Sequence, residues 1–207
     1  MQDYQGVFVR RTNDFECGGN KVKTIIYLIR HAESPYAEGQ ERARGLSEQG
    51  KADAERIRSI LHKKPINLLF SSPYARAIHT LQPLADEMQK EIVLLENLRE
   101  RGIGNIADMS FVDAKRCVYE DFFCAFEGGE SSSEAQARGT RELKLLLEKY
   151  AGSTLAIGTH GDIMTLMMNY FDPRYGFEFW QSTTMPDIYR LKFVGMELVK
   201  VTREWKS

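Results

Sequence analysis

The chain has three cysteines in 207 residues, Cys17, Cys117 and Cys124. An odd number without C-x-x-C spacing fits neither a disulfide framework nor a common zinc site, so free thiols are expected. Cys117 and Cys124 are seven apart in a stretch that reads as helical, which puts both on one side of a helix and favours a core role. Long apolar runs are also missing. No window approaches the ~18 consecutive apolar residues of a membrane helix, and the N-terminus, with Asp3, Arg10, Arg11 and Asp14, lacks the apolar centre of a signal peptide. A cytoplasmic protein with no membrane partner is the expectation. Nor is there an excess of one charge. Lys plus Arg (28) nearly balance Asp plus Glu (29) for a formal charge of −1, so no global field draws the chain to nucleic acid, and anion binding has to be local. Two histidines four apart on one helix are absent, which speaks against a zinc hydrolase built around His160-Gly161-Asp162. No internal repeat or low-complexity segment stands out.

What is present is an ordinary globular composition, 43% hydrophobic and 28% charged, enough for a sizeable core in one domain. Residues 1–20 carry no sustained periodicity and end in Cys17-Gly18-Gly19-Asn20; they read as an N-terminal extension to a single domain over 21–207. Lys23 to Ile29 is short, β-branched and apolar, as a strand buried on both faces would be. Ile66–Phe70, Glu91–Leu95 and Thr154–Gly158 are further strand candidates. Ile188–Phe193 and Leu198–Arg203 alternate like a hairpin turning near Gly195. Helices are expected over Leu46–Leu61, from Ser72-Pro73 to about Lys90 with Pro83 inside, over Val112–Phe126, Ser133–Tyr150 and Asp162–Tyr170. The break at Glu127-Gly128-Gly129-Glu130-Ser131 separates the third from the fourth. Strands interleaved with helices predict an α/β fold, three layers α/β/α, with a mostly parallel central sheet and an antiparallel edge.

Three strand ends carry polar residues: Arg30-His31, then Ser71-Ser72-Pro73-Tyr74-Ala75-Arg76, then His160. Open α/β sheets bind ligands at the carboxyl ends of their strands, so residues far apart in sequence can meet in one crevice. Two arginines and two histidines there would make an anion pocket. Singly, each has a bland reading as a structural histidine or a solvated charge. Together they need an anion, because burying several cations at one spot is too costly otherwise.

Those residues resemble a family. Leu28-Ile29-Arg30-His31-Ala32-Glu33-Ser34 is similar to the Arg-His-Gly signature of the histidine phosphatases, the superfamily of cofactor-dependent phosphoglycerate mutase. Leu46-Ser47-Glu48-Gln49-Gly50, Ser71 to Thr80, Leu98-Arg99-Glu100 with Gly104, Gly128-Gly129-Glu130-Ser131 and Thr159-His160-Gly161 match further motifs in order, over about residues 23–193. The resemblance implies a phosphoglycerate mutase-like fold with a short helical cap insertion around 104–130. It also implies His31 as the nucleophile that becomes phosphohistidine. Arg30, Arg76 and His160 would hold the phosphoryl oxygens, and Glu100 would serve as proton donor and then water activator. Ser34 and Gly161 would let a hydroxyl and the backbone approach the same phosphate. Without the resemblance, Glu100 reads as a solvated charge in Glu96 to Arg101, and His62 and His79 read as structural throughout.

The chain departs from the pattern at Ala32, tolerable where the torsion is not left-handed, at Ala37, and at Ile106-Ala107-Asp108. Mutases of the family carry a long basic insertion that shields the phosphoenzyme; here Asn105 to Glu127 hold only Lys115 and Arg116 as basic residues. Hydrolysis of a small phosphomonoester is therefore expected, without metal or organic cofactor. Mutase activity or a phosphate-binding regulatory module are the alternatives. Substrate recognition is expected in Gly104–Glu130 and Phe177–Met185.

Overall fold

The computed structural model describes residues 22–206; the expected extension at 1–20, with Cys17, lies outside the described residues. Six strands form one sheet: β1 (Lys23–Arg30), β2 (Leu68–Ser71), β3 (Ile92–Leu94), β4 (Thr154–Thr159), β5 (Asp187–Val194) and β6 (Glu197–Arg203). Their order is β3-β2-β4-β1-β5-β6. The first four run parallel, and the β5–β6 hairpin closes one edge antiparallel. Gly195, at φ +60°, lets that hairpin turn. The helices are α1 (Glu48–Leu61), α2 (Ala75–Met88), α3 (Phe111–Glu120), α4 (Ser132–Lys149), α5 (Gly161–Phe171) and the short α6 (Phe177–Ser182). None of them is long and apolar enough to cross a membrane.

The alternation of β1 builds both halves of the core, because successive side chains point to opposite faces. Ile26 and Leu28 pack with Leu143, Met164 and Met167 of α4 and α5. Tyr27 and Ile29 pack with Ile57, Leu61, Leu81 and Leu84 of α1 and α2. This is the expected three-layer arrangement. Each of these buried Leu or Ile side chains contributes about 1.5–3 kcal/mol through removal from water.

Two helix boundaries and one additional helix bear on the site. α2 begins at Ala75 behind an extended Tyr74, later than Pro73 suggested, because Ser72 and Tyr74 are drawn into the site. α3 ends at Glu120, not Phe126, where Asp121 leaves helical torsion. Cys117 and Cys124 therefore do not share a helix, and both are half-buried instead of core. α6 had no counterpart in the sequence reading. By contrast, Ser131 and Glu134 form a reciprocal capping box at the start of α4, as expected for the cap cluster, and His62 caps the end of α1, its Nδ1 2.9 Å from the Ser59 carbonyl.

Sheet register is what positions the site. Arg30 pairs with Thr159, and Ser71 pairs with Gly158 and Leu94, so the parallel strands end level. The chain then leaves each end in step: the His31 N–H donates to the Thr159 carbonyl at 2.9 Å and the Ser72 N–H to the Gly158 carbonyl at 2.8 Å. At Gly158 a Cβ would meet Leu81 at 2.9 Å and the Ala77 carbonyl at 3.1 Å, so only glycine lets α2 sit this close to β4 and carry Arg76 to the strand ends.

Candidate active site

His31, Ser72 and His160 leave the ends of β1, β2 and β4 side by side. His31 is 5% exposed. Its Nδ1 lies 2.7 Å from the Ala32 carbonyl, and Nε2 accepts from Nε of Arg76 at 3.1 Å. A carbonyl can only accept, so these contacts assign the proton to Nδ1 and leave the lone pair on Nε2. Burial pushes the His31 pKa down to about 3; the Ala32 bond opposes this, while Arg76, Arg30 and Arg44 add to it. The ring is thus neutral, with its lone pair on Nε2.

His160 is fully buried behind it. The two rings meet edge to face with centroids 5.2 Å apart, and Tyr74 covers His160 at 5.0 Å. Nε2 of His160 lies 2.8 Å from the Ser72 hydroxyl, whereas Nδ1 is buried without a partner among the described residues. Burial first, then His31 and Arg76, hold its pKa well below the ordinary value.

Arg30 donates through Nη1 to the Thr183 hydroxyl at 2.5 Å, and its Nε is buried without a partner among the described residues. Gly161 makes room for it: a Cβ there would meet the Arg30 guanidinium carbon at 2.8 Å. Arg76, with 1% of its side chain exposed, is fully engaged. Besides His31 it donates to the Glu41 carbonyl at 2.6 Å and the Glu41 carboxylate at 2.7 Å.

Glu100 lies at the start of α5. Its carboxylate accepts the N–H groups of Arg101 and Ile163, each at 3.0 Å, and that of Asp162 at 3.2 Å, so the helix end orients it. Ser34 has its hydroxyl committed, donating to the Gly45 carbonyl at 2.6 Å and accepting from Arg44 at 2.7 Å; it braces Arg44. Ala32 does not adopt the left-handed torsion, and Ala107 does, at φ 47°. Ala37 sits in the turn before Glu41, its carbonyl accepting from Gln40 at 3.1 Å.

These residues open on a cleft of about 460 Å³ lined by Arg30, Arg44, Arg76, Arg101 and Lys115, with Glu41 and Glu100 as its carboxylates. Five cations against two carboxylates around neutral histidines make an anion site. Its outer wall is apolar, with Ile103, Phe111, Trp180 and Met185. Below that wall lies a buried ion cluster. Asp162 accepts from Lys115, from Arg101 at 2.7 Å and from the Tyr119 hydroxyl at 2.7 Å. Burial works against its charge, yet Lys115 and Arg101 prevail and hold its carboxyl below the ordinary range. Two cations share one carboxylate, and both line the cleft.

The structure thus brings together Arg30, His31, Ser34, Arg76 and Glu100 on the cleft wall, with Gly161 beneath Arg30. His160 is packed against His31 from behind. Glu41, Arg44 and Arg101 also line the cleft, without a signal in the sequence. Arg101 looked like part of a solvated charge run, and only the distant Asp162 reveals otherwise. Of the two basic residues in the insertion, Lys115 faces the cleft while Arg116 stacks over Phe177 at 4.4 Å.

Comparison with known proteins gives the family. The family model of the histidine phosphatase superfamily, branch 1, matches residues 26–196. The chain belongs to that superfamily and is an enzyme of the histidine phosphatase type. It is similar to phosphoglycerate mutase-like protein 4 of Arabidopsis thaliana, 26% identical over 156 residues that cover 67% of each chain. Phosphoserine phosphatase 1 of Hydrogenobacter thermophilus is 26% identical over 65% of this chain and 70% of its own. Among solved structures, a mycobacterial glucosyl-3-phosphoglycerate phosphatase shares the fold with a TM-score of 0.70 at 19% identity, covering 87% of this chain and 97% of that one.

Proposed function

We propose that the protein hydrolyses a small phosphomonoester in two steps through phosphohistidine on His31. Nε2 attacks phosphorus in line, the bond from phosphorus to the leaving oxygen breaks, and Glu100 delivers a proton to that oxygen. Water, giving its proton to Glu100, then attacks the phosphohistidine and releases inorganic phosphate, returning His31 to its neutral form. Charge on the equatorial oxygens is met by Arg30 and Arg76, while the neutral His160 donates an N–H, with no metal required.

The observation that carries this reading is a pair of buried atoms beside His31, Arg30 Nε and His160 Nδ1, that have no hydrogen-bond partner among the described residues. Buried polar atoms are nearly always satisfied, and a phosphoryl group offers several acceptor oxygens at one point. The outer part of the cleft, between Lys115, Phe111 and Trp180, would take the leaving group. Support for a small phosphomonoester comes also from relatives named for phosphoserine and glucosyl-3-phosphoglycerate.

The test is turnover of an aryl phosphate by the purified chain in the presence of a chelator. Hydrolysis that is lost in His31→Ala supports the reading. Phosphate binding without turnover would replace it with a regulatory module, and phosphoryl exchange stimulated by 2,3-bisphosphoglycerate would replace it with a mutase.

A further inference from the structure

Cys117 and Cys124 take no part in the site, yet their sulfurs lie 3.8 Å apart. A continuous helix would separate residues seven apart by about 10.5 Å along its axis. The contact exists because α3 stops. The Asp121 carboxylate accepts the Phe123 N–H at 2.9 Å and the Asp121 carbonyl accepts the Cys124 N–H at 3.1 Å, a tight turn that folds the second thiol back onto the first. Both cysteines are half-buried, and the turn between them is open to solvent, with Phe123 83% exposed.

We infer that Cys117 and Cys124 form a reversible disulfide site that stiffens the end of α3. Bonded sulfurs lie about 2.05 Å apart, so they must approach by about 1.8 Å, a movement the exposed turn can supply. The oxidant is a small-molecule disulfide. One cysteine thiolate attacks it and expels one thiolate; the second cysteine thiolate then attacks the mixed disulfide and expels the other. Two protons leave the cysteines, and two electrons pass to the oxidant, which departs as two thiols.

The place of the pair gives the bond a structural consequence. Next to Cys117, the Val118 carbonyl accepts from the Ser132 hydroxyl, which itself accepts from Arg101 at 2.6 Å. In the same turn of α3, Lys115 reaches Asp162. On the other side, the Phe122 carbonyl accepts the Ser133 N–H at 2.9 Å. A bond from Cys117 to Cys124 closes a short loop that contains both anchors, Val118 and Phe122, directly behind the α3 segment that brings Lys115 and Phe111 to the cleft. The inference does not depend on the hydrolytic mechanism.

The experiment uses the full chain carrying Cys17→Ser, exposed to oxidised glutathione and then to dithiothreitol. No Lys or Arg lies between Cys117 and Arg138, so trypsin leaves both cysteines in one peptide. The expected result is loss of two hydrogens from that peptide, regained on reduction, and slower amide exchange over residues 115–124 in the oxidised form. Cys124→Ser should abolish the mass change and leave a glutathione adduct on Cys117. Two glutathione adducts on the parent peptide, a bond between two chains, or a disulfide that leaves amide exchange unchanged would each overturn the inference.

Discussion

Arg76 donates Nε–H to the lone-pair nitrogen of His31 at 3.1 Å, which sets a buried guanidinium at the point where His31 would meet phosphorus. If that guanidinium stabilises the transferring group, Arg76→Ala should lower kcat/KM by about 10²–10³-fold, the usual effect of removing one preorganised donor. Arg76→Lys should recover little of the loss, since a lysine cannot reproduce the fork that reaches His31 and Glu41 together. Steady-state kinetics on an aryl phosphate decide it; a variant within twofold of wild type would remove Arg76 from the site.

Glu41 competes for the same guanidinium. Its carboxylate lies 2.7 Å from Nη2 of Arg76, and an entering phosphate must share or displace it. Glu41 is half-exposed, so the pair is modest in strength. Glu41→Gln should therefore tighten competitive inhibition by inorganic phosphate about 1.5-fold to fivefold, the range of a partly screened ion pair. Weaker inhibition would show that Glu41 helps hold the anion.

The two buried histidines make stability depend on pH. His31 folds with its pKa pushed down to about 3, and His160 is shifted in the same direction, whereas both take up protons near 6.5 once unfolded. The unfolded chain thus binds more protons below pH 6.5, so stability falls as pH falls through that value. Each histidine adds a slope of up to about 1.4 kcal/mol per pH unit, most cleanly between about pH 6.5 and pH 4.5, before carboxylates titrate. Urea melts of wild type and His31→Asn across that window should show a shallower slope in the variant. Equal slopes would mean that His31 is not held neutral by the fold.

Glu100 is oriented by two backbone N–H groups at the start of α5, those of Asp162 and Ile163, and by the N–H of Arg101. As the proton donor it matters most when the leaving oxygen is strongly basic. Glu100→Gln should slow alkyl phosphates by roughly 10²–10⁴-fold and activated aryl phosphates far less. A uniform loss across a leaving-group series would assign Glu100 a purely structural role.

The parts of this site that were legible in the sequence are those fixed by local pattern. Lys23 to Ile29 announces a buried strand, and Arg30-His31 follows it directly; Ser71 to Arg76 and His160 stand at the ends of two more strands. What was hidden depends on contacts across the fold. Arg44 and Glu41 lie in a loop without periodicity, and their importance comes from Ser34 and Arg76. Arg101 is buried only because Asp162, 61 residues on, receives it. α6 is too short for a periodic signal, yet it sets Trp180 on the cleft wall. The stop of α3 at Glu120 was missed because Asp121 can end a helix or sit within one, and the sulfur contact follows from that stop.

The central claim is that His31 accepts the phosphoryl group, and the most direct measurement is to trap it. Rapid mixing with a phosphomonoester, alkaline quench and peptide mapping should find one phosphoryl group on the peptide holding His31, formed and lost at rates compatible with turnover, and absent from His31→Ala. Turnover without any phosphoprotein, or a phosphoryl group on another residue at a competent rate, would contradict the account.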